Sequence, residues 1–400
     1  MNTPTGFSFE ILETFGEART GILQTPHGSV DTPAFMPVGT QATVKALSPQ
    51  DVKETGAAII VVNTYHMAMR PGIEVVENLG GLHRFMAWPG PILTDSGGFQ
   101  VHSLAQLRRI DDEGIVFRSH IDGSEHFFTP ERVISFQERL GPDIAVVLDE
   151  CAPYPGDEQH HRTAMERTHR WAKRCLAAHT WADQALFGIV QGGTFQHLRR
   201  ESARFVGSLG FDGFSIGGLS LGEPKDVMNA MLEESIGPLP SGKPRHFMGV
   251  GAPEDFVEGV ARGVDLFDAV LPTRVARNGA LFTPAGRVNV SNAVFRLQDA
   301  PVDPACDCHT CRNFSAAYLH HLFRAQELLA YRLATIHNLR FVMRLLERVR
   351  DAIRDGTFGS FKDEFLTEYR TTEDAVRVEQ KLRWEQSKGH KTFPYLEDIP

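Results

Sequence analysis

The stretch IAVVLD (144–149) places five apolar residues directly before an aspartate. An unbroken apolar run of this length is typical of a strand that is covered on both faces of a parallel sheet. Seven similar runs occur with helical patterns between them: AFMPV (34–38), AIIVV (58–62), PILT (91–94), LFGIV (186–190), GFSI (213–216), HFMGV (246–250) and LFDAVL (266–271). Eight strands alternating with helices predict an α/β fold, a (β/α)8 TIM barrel, and a doubly wound open sheet is the alternative.

Polar residues or glycines fall at, or just past, the carboxyl end of seven of these runs. They are Asn63, Asp95, Asp149, Gln191, Gly217 with Gly218, Gly249 with Gly251, and Asp268. A single residue of these types often does no more than cap a turn. The shared register favours a common role, because barrel enzymes build their active sites on the carboxyl rim of the strands.

The composition excludes several classes of protein. The chain has 400 residues, 42% of them hydrophobic, and a net charge of -9, without an apolar run near the ~20 residues that span a bilayer. Its polar, acidic N-terminus does not resemble a secretory signal, so we expect a cytoplasmic protein with no membrane association. The net negative charge argues against a protein that coats nucleic acid through its whole surface, although a local basic patch could still bind RNA.

Three of the five cysteines crowd into one short segment near the C-terminus. Cys306, Cys308 and Cys311 form a Cys-x-Cys-x2-Cys run, and His337 follows in a helical pattern. Three thiolates and one imidazole complete a closed tetrahedral shell, which predicts a structural Zn²⁺ site. His309, inside the loop, is the alternative fourth ligand.

The predicted layout follows from these signals. Residues 1–300 form the barrel with an N-terminal hairpin on its floor, and residues 301–360 form a zinc-binding helical subdomain, inserted or appended near the C-terminus, that packs back on the barrel. Residues 361–400 form an extension without an assigned role.

The rim residues predict a pocket for a base. Asp95 precedes a Ser-Gly-Gly turn whose backbone N–H groups can approach a planar ligand closely. Asp149 adds an acceptor and Gln191 an amide, which together complement the edge of a guanine-like base. Main-chain groups at Gly217, Gly218 and Leu219 extend the pocket.

Asp268, in FDAVLPTR (267–274), is a candidate nucleophile. Attack on the anomeric carbon of a ribose would expel the base and leave an ester, as in retaining glycosidases. Asp95, on the other side of the base, would protonate the leaving base and deprotonate the incoming one. Arg274 and Arg277 would contact flanking phosphates, or are ordinary surface arginines.

These residues stand in motifs that carry a family resemblance. The motifs are TDSGGFQ (94–100), LDECAPYP (148–155), IVQGG (189–193), IGGLSLGEP (216–224), MGVG (248–251), FDAVLPTRVARNG (267–279), CDCHTCRN (306–313) and TIHNL (335–339). From about residue 8 to about residue 360 the chain resembles the bacterial tRNA-guanine transglycosylases of the queuine tRNA-ribosyltransferase family.

The resemblance implies an activity and an assembly. Its members exchange guanine at the wobble position of tRNAs with a GUN anticodon for 7-aminomethyl-7-deazaguanine, in queuosine biosynthesis. They are zinc-bearing barrels that act as homodimers, in which one subunit catalyses while the other helps to hold the tRNA anticodon loop.

Residue roles carry over by matching motifs. Asp268 resembles the nucleophile and Asp95 the proton acceptor. The implied base-binding residues are Asp95, Ser96, Gly97, Gly98, Phe99 (stacked on the base), Asp149, Gln191, Gly217, Gly218, Leu219 and Met248. The implied RNA contacts are Gly249, Val250, Gly251, Ala252, Pro253, Glu254 and Asp255, followed by Thr273, Arg274, Val275, Ala276 and Arg277.

Two positions, Leu221 and Cys151, bear on which base is used. Family members that take the larger base queuine have glycine where this chain has Leu221, and they lack a cysteine at Cys151. A leucine would fill the space that the cyclopentenediol of queuine needs, which predicts the smaller aminomethyl base. Leu221 also differs from the valine usual in the bacterial enzymes, and Ala269 replaces a common cysteine.

Two other function classes compete with the transferase. A barrel hydrolase or lyase would bind a catalytic metal at the rim, but the three aspartates come without the rim histidines that such sites usually include. A silent tRNA-binding subunit is expected to lack one of the paired aspartates, and Asp95 and Asp268 are both present.

Overall fold

The computed structural model describes residues 6–104 and 108–371. In chain order, the strands are β1 (Ser8–Phe15), β2 (Ala18–Thr25), β3 (Gly28–Thr32), β4 (Ala34–Pro37), β5 (Ile60–Asn63), β6 (Ile92–Asp95), β7 (Arg108–Ile110), β8 (Ile115–Arg118), β9 (Glu125–Phe128), β10 (Ile144–Val146), β11 (Ala185–Val190), β12 (Gly213–Ile216), β13 (Arg245–Phe247), β14 (Leu266–Ala269), β15 (Ala280–Thr283) and β16 (Gly286–Asn289). The helices are α1 (Pro49–Glu54), α2 (Thr64–Met69), α3 (Ile73–Asn78), α4 (Gly81–Met86), α5 (Gly98–Leu104), α6 (Pro130–Leu140), α7 (Glu158–Ala178), α8 (Gln196–Gly207), α9 (Lys225–Ile236), α10 (Pro253–Ala261), α11 (Leu271–Arg277), α12 (His309–Asn313), α13 (Ala316–Arg324), α14 (Leu328–Arg354) and α15 (Phe358–Glu368), with a 3-10 helix at Ala293–Leu297.

Eight parallel strands form the central sheet in the order β4-β14-β13-β12-β11-β10-β6-β5. A parallel bridge between Val38 and Val61 joins its two edges, where the N–H of Gly39 donates to the Val61 carbonyl (2.6 Å). The sheet therefore closes into a barrel, as predicted, and the open-sheet alternative is wrong. Each of the eight predicted runs overlaps one barrel strand.

Burial on both faces explains why these strands are apolar throughout. Every residue of β5, β11 and β12 is buried. The outer layer consists of helices with one apolar side. In α7 that side includes Met165, Trp171 and Cys175, and the Asp157 side chain caps the first turn by accepting from the His160 N–H (2.9 Å).

A three-stranded N-terminal sheet, which includes the β1–β2 hairpin, lies on the barrel floor. Strands β1, β2 and β3 form an antiparallel sheet. Arg19 of β2 binds both carboxylate oxygens of Asp265, the residue directly before β14, and donates to the Lys243 carbonyl (2.8 Å) before β13. This buried pair anchors the hairpin at the amino ends of the strands, opposite the predicted active-site rim.

A second apolar core is formed by the part of the chain that follows β14, up to and including the first turns of α14. Its buried members are Ala276, Leu281, Val290, Phe295, Val302, Ala316, Leu319, Leu322, Ala330, Leu333 and Ala334. The core therefore includes the β15–β16 hairpin, which precedes the boundary predicted at residue 300. Helix α14 then returns to pack on β2, β4 and α11, while α15 crosses the boundary predicted at residue 360.

Residues from 372 onward lie outside the described part of the chain. Within that part, none of the helices combines the length and the apolar composition needed to cross a bilayer.

Candidate active site and metal centre

The structure brings the predicted rim residues to one end of the barrel. Asp95 is the last residue of β6, Asp268 lies in β14, and Gln191 directly follows β11. Asp149 comes three residues after β10. Because all barrel strands run parallel, their carboxyl ends meet at the same rim and face a shared cleft.

Asp95 is fixed at the carboxyl end of β6 by a residue of the neighbouring strand. Its Oδ2 accepts from Asn63 Nδ2 (2.9 Å) on the neighbouring strand. Desolvation in the cleft and the negative charge of Asp268 raise the pKa of Asp95 to about 6, against the opposing hydrogen bonds from Gly97 and Asn63. A carboxyl group with this pKa can accept and return a proton near neutral pH.

Asp149 and Gln191 form a buried pair beside Asp95. Gln191 Nε2 donates to Asp149 Oδ2 (2.7 Å). Burial, reinforced by the charge of Asp95, raises the pKa of Asp149 to about 7. The pair presents a carboxyl and an amide side by side, which is the combination predicted for a base-binding edge.

Glycines allow the backbone to approach this pair. Gly98 packs on Asp149 so closely that a Cβ would overlap the Asp149 carbonyl oxygen. Gly218 has φ +67, and a Cβ there would overlap the Gln191 side-chain oxygen. Phe99, on the first turn of α5, keeps 42% of its surface exposed at the cleft. The remaining predicted pocket residues shape the walls: Ser96 and Leu219 are buried, and Met248 is half-buried.

Arg199 and Glu223 support the pocket from behind, and neither role could be predicted from the sequence motifs. The buried Arg199 guanidinium donates to the carbonyls of Gly217 (2.7 Å) and Gly218 (3.0 Å). Glu223 accepts from the backbone N–H groups of the loop before it, including Leu221 (2.9 Å). These bonds hold the strand end and the loop after β12 in place.

Asp268 has a histidine partner that the sequence analysis also missed. His246 Nε2 lies 2.9 Å from Asp268 Oδ1, and the N–H of Gly249 donates to the same oxygen (3.1 Å). The prediction of a rim without histidines is therefore wrong. His246 was read as one member of an apolar strand, but its side chain faces the barrel interior under the rim.

The two segments predicted to contact RNA follow β13 and β14. Their buried side chains are Val250, Pro253, Asp255, Thr273, Val275 and Ala276, and Gly251 is covered as well. The members that keep accessible surface are Gly249, Ala252, Glu254, Arg274 and Arg277. The helical repeat of α10 and α11 turns the side chains of Pro253, Asp255, Thr273, Val275 and Ala276 toward the protein, and Val250 is buried in the loop before α10.

A basic group lies beside the rim. Lys45, which the sequence analysis did not single out, has its pKa lowered by burial and by the charges of Arg277 and Arg274. Three cations that repel one another make a favourable site for an anion, and a phosphate would relieve the repulsion.

The Cys306, Cys308, Cys311 and His337 group fits a metal ion. All four are buried, with ligand atoms within 4.8 Å of one another. His337 Nδ1 lies 3.7 Å from the sulfur of Cys308 and 3.3 Å from that of Cys311. A tetrahedral ion with bonds of about 2.3 Å to sulfur and about 2.0 Å to nitrogen would separate such atoms by about 3.5 Å.

The geometry selects His337 over His309. His337 Nε2 lies 2.7 Å from the Phe282 carbonyl, to which it donates, so the lone pair of Nδ1 points toward the thiols. His309 is exposed and stands apart from the group. The structure therefore groups His337, and not His309, with the three cysteines.

One other group among the described residues has potential metal ligands: His27, His83 and Asp143 on the barrel floor. The two imidazole rings stack at 3.6 Å, and each ring contacts a different oxygen of Asp143. Stacked rings direct their nitrogens side by side rather than at one ion, so this is a hydrogen-bonded cluster. Neither group includes a rim carboxylate, which disfavours the metal-dependent hydrolase.

Comparison with known proteins agrees with the motifs. The family described as "Queuine tRNA-ribosyltransferase" matches residues 14–371. The chain belongs to this family. It is similar to the queuine tRNA-ribosyltransferases of Herpetosiphon aurantiacus (58% identical over 371 residues, 93% of this chain and 95% of the relative) and Dehalococcoides mccartyi (57% over 375 residues, 94% and 96%). The corresponding protein of Desulforamulus reducens is 53% identical over 363 residues, which cover 91% of this chain and 98% of the relative.

Family membership at this identity makes the chain a pentosyltransferase that acts on tRNA and a base. It also agrees with the presence of both rim aspartates, which the silent-subunit alternative did not expect.

Proposed function

We propose that the chain is a tRNA-guanine transglycosylase. It replaces guanine at the wobble position of the GUN-anticodon tRNAs for aspartate, asparagine, histidine and tyrosine with 7-aminomethyl-7-deazaguanine, a step of queuosine biosynthesis. The proposal depends on the pair Asp95 and Asp268. They lie on one rim, close enough for the charge of Asp268 to raise the pKa of Asp95, and the hydrogen-bonded Asp149–Gln191 pair lies beside them.

The reaction is a double displacement at C1′ of the ribose. Asp268 attacks C1′ and forms an ester while the C1′–N9 bond breaks. The electron pair of the C1′–N9 bond leaves with the base. Asp95 gives that base a proton. The incoming deazaguanine then loses its N9 proton to Asp95 and attacks C1′, and the ester electron pair returns to Asp268. Two inversions give net retention.

The base is held by the Asp149–Gln191 pair. Asp149 accepts from the N1–H and exocyclic amine, Gln191 contacts O6, and Gly218 provides a main-chain group. Phe99 stacks on the exposed face of the ring. A pocket of buried polar groups rejects ligands that leave those groups unpaired.

Base binding is expected to weaken at acid pH. Asp149 keeps its proton until its pKa of about 7, and only the ionised form accepts from both base donors. The affinity for the free deazaguanine should fall roughly tenfold for each pH unit below that value and level off above it. Isothermal titration calorimetry from pH 5.5 to 8.5 measures this. Asp149→Asn, which does not titrate, should bind weakly with a flat profile, and a flat wild-type profile would contradict the assignment.

The anticodon loop is held by the basic group. Arg274 and Arg277 on α11, with Lys45 near them, bind the phosphates beside the reacting nucleotide. The accessible backbone of Gly249 and Ala252 adds contacts from the loop after β13.

We further infer that two copies act as a homodimer. The apolar side chains of Val294 and Leu297, 74% and 89% exposed on the 3-10 helix before the metal-binding segment, support an interface there.

The Cys306, Cys308, Cys311 and His337 group holds one structural Zn²⁺ per subunit in this proposal. Four protein ligands leave no open position, so the ion supplies folding energy and takes no part in the displacement.

Guanine release tests the proposal. The protein is incubated with GUN-anticodon tRNA labelled in the wobble guanine and with unlabelled 7-aminomethyl-7-deazaguanine, and release of the label is followed. We expect complete release, with none from a tRNA whose anticodon begins with another base. A protein that releases no label from either tRNA would rule the function out.

The same reaction with queuine or another 7-deazaguanine is the second candidate, and Leu221 argues against the larger base. Leu221 is half-buried, and its N–H is fixed by Glu223. Leu221→Gly should raise exchange with queuine by at least about tenfold, because it removes a side chain that occupies the space of the cyclopentenediol. Competition between the two bases measures the ratio. Equal use of both bases by the wild-type protein would contradict this selectivity.

A further inference from the structure

His246 lies directly beneath the candidate nucleophile. It is 1% exposed on β13, and its Nε2 is 2.9 Å from Asp268 Oδ1. On its other side, Nδ1 is 3.1 Å from the hydroxyl of Ser215, its register partner on β12. Both ring nitrogens are therefore engaged, and the ring is fixed between two neighbouring strands.

The direction of these bonds follows from the chemistry of the partners. A carboxylate oxygen only accepts, so Nε2 must carry a proton and donate it. The Ser215 hydroxyl can donate to Nδ1 of a neutral ring or accept from a charged one. Ser215 thus keeps the Nε2–H donor directed at Asp268 in either charge state of the ring.

The two oxygens of Asp268 are not equivalent. Oδ1 accepts from His246 and from the Gly249 N–H (3.1 Å), whereas Oδ2 accepts no hydrogen bond among the described residues. A carboxylate held by one oxygen can present only the other to a ligand in the cleft.

We propose that His246 is a positioning residue for Asp268, which with the Gly249 amide fixes Oδ1 and leaves Oδ2 as the atom that attacks C1′. This inference rests on the proposed transglycosylase function. As the Oδ2–C1′ bond forms and the C1′–N9 bond breaks, Oδ1 becomes the carbonyl oxygen of the ester and keeps both donors. When the incoming N9 displaces the ester, the returning electron pair develops charge on a carboxylate that is already solvated by these two N–H groups.

Two substitutions separate a hydrogen-bonding role from simple packing. His246→Leu fills the site but removes the donor. His246→Gln places an amide N–H near the position of Nε2 and restores it. His179→Gln, which changes a histidine bonded to Gln184 away from the rim, is the control. Guanine exchange is measured as kcat and KM for tRNA, and thermal unfolding is followed for each protein.

We expect His246→Leu to lower kcat about tenfold to a hundredfold with KM for tRNA unchanged, because a hydrogen bond to a charged group is lost at the reacting carboxylate. His246→Gln should recover most of that loss, and the control should match the wild type. A His246→Leu kcat within about threefold of wild type, or equal losses in the Leu and Gln variants, would overturn the positioning role alone. Failure of the wild-type protein to release guanine would remove the proposed function, and this inference with it.

Discussion

Asp268→Asn is expected to lower guanine exchange by at least about a thousandfold, because an amide cannot act as the carboxylate nucleophile and no other group takes its place. The fold should be unaffected. The asparagine has nearly the same shape, and its side-chain oxygen can still accept from His246 and from the Gly249 N–H. Binding of tRNA should be unchanged, since the basic group beside the rim is untouched.

Three measurements test this expectation. Label release gives the turnover, a gel shift gives the affinity for tRNA, and a denaturing gel shows whether a covalent protein–tRNA adduct forms. The wild-type protein should form the adduct and Asp268→Asn should not. Asp212→Asn is the matched control, because it makes the same change at a half-buried carboxylate that accepts from the Leu186 N–H far from the rim. Turnover of Asp268→Asn within tenfold of wild type would exclude Asp268 as the nucleophile.

The barrel could be predicted because its signal is local. A strand covered on both faces must be apolar throughout. A polar residue at its carboxyl end lies at the rim, and this position does not depend on contacts with residues distant in sequence. Asp95 and Gln191 could therefore be placed from their position directly after a run, and Asp268 from its position within the last run. Boundaries were harder to place. The second core recruits Leu281 and Val290 from a hairpin that reads as part of the barrel.

The partners of the site residues could not be predicted, because they depend on contacts distant in sequence. Ser215 lies between Phe214 and Ile216, and His246 lies between Arg245 and Phe247. Only the strand register places Ser215 and His246 at the same level, next to Asp268. The polar side chains of Ser215 and His246 within barrel strands could in principle have indicated hydrogen bonds inside the barrel. Arg199 gave no signal, since an arginine on an amphipathic helix is usually a solvated one.

The metal group is linked to α11, the helix proposed to contact RNA, through α14. His337 bonds the Phe282 carbonyl, and the adjacent Asn338 donates to the carbonyls of Pro272 and Ala280 (3.0 Å each). Pro272 belongs to α11, which also carries Arg274 and Arg277. A metal ion bound by this group would thus stabilise the helix that carries those arginines, although the group lies outside the cleft.

Cys308→Ala should accordingly lose the metal and the soluble folded protein together. Zinc binding contributes roughly 10–16 kcal/mol in small zinc domains, which matches or exceeds the roughly 5–15 kcal/mol of stability of a whole domain. Without the ion, three buried polar ligands lack their partner, and we expect the packing of α14 on β4 and α11 to weaken.

Metal content by mass spectrometry, measured with thermal unfolding, tests this coupling. Cys175→Ala deletes a buried thiol of α7 that is not part of the metal group, so it should keep one zinc per chain and lose only a few degrees of Tm. Removal of the metal from the wild-type protein by a chelator should lower its Tm in the same direction as Cys308→Ala. If the chelated protein or the Cys308→Ala variant unfolded at the wild-type temperature without bound metal, the ion would not be structural, and the link from α14 to α11 would have to rest on the Asn338 hydrogen bonds alone.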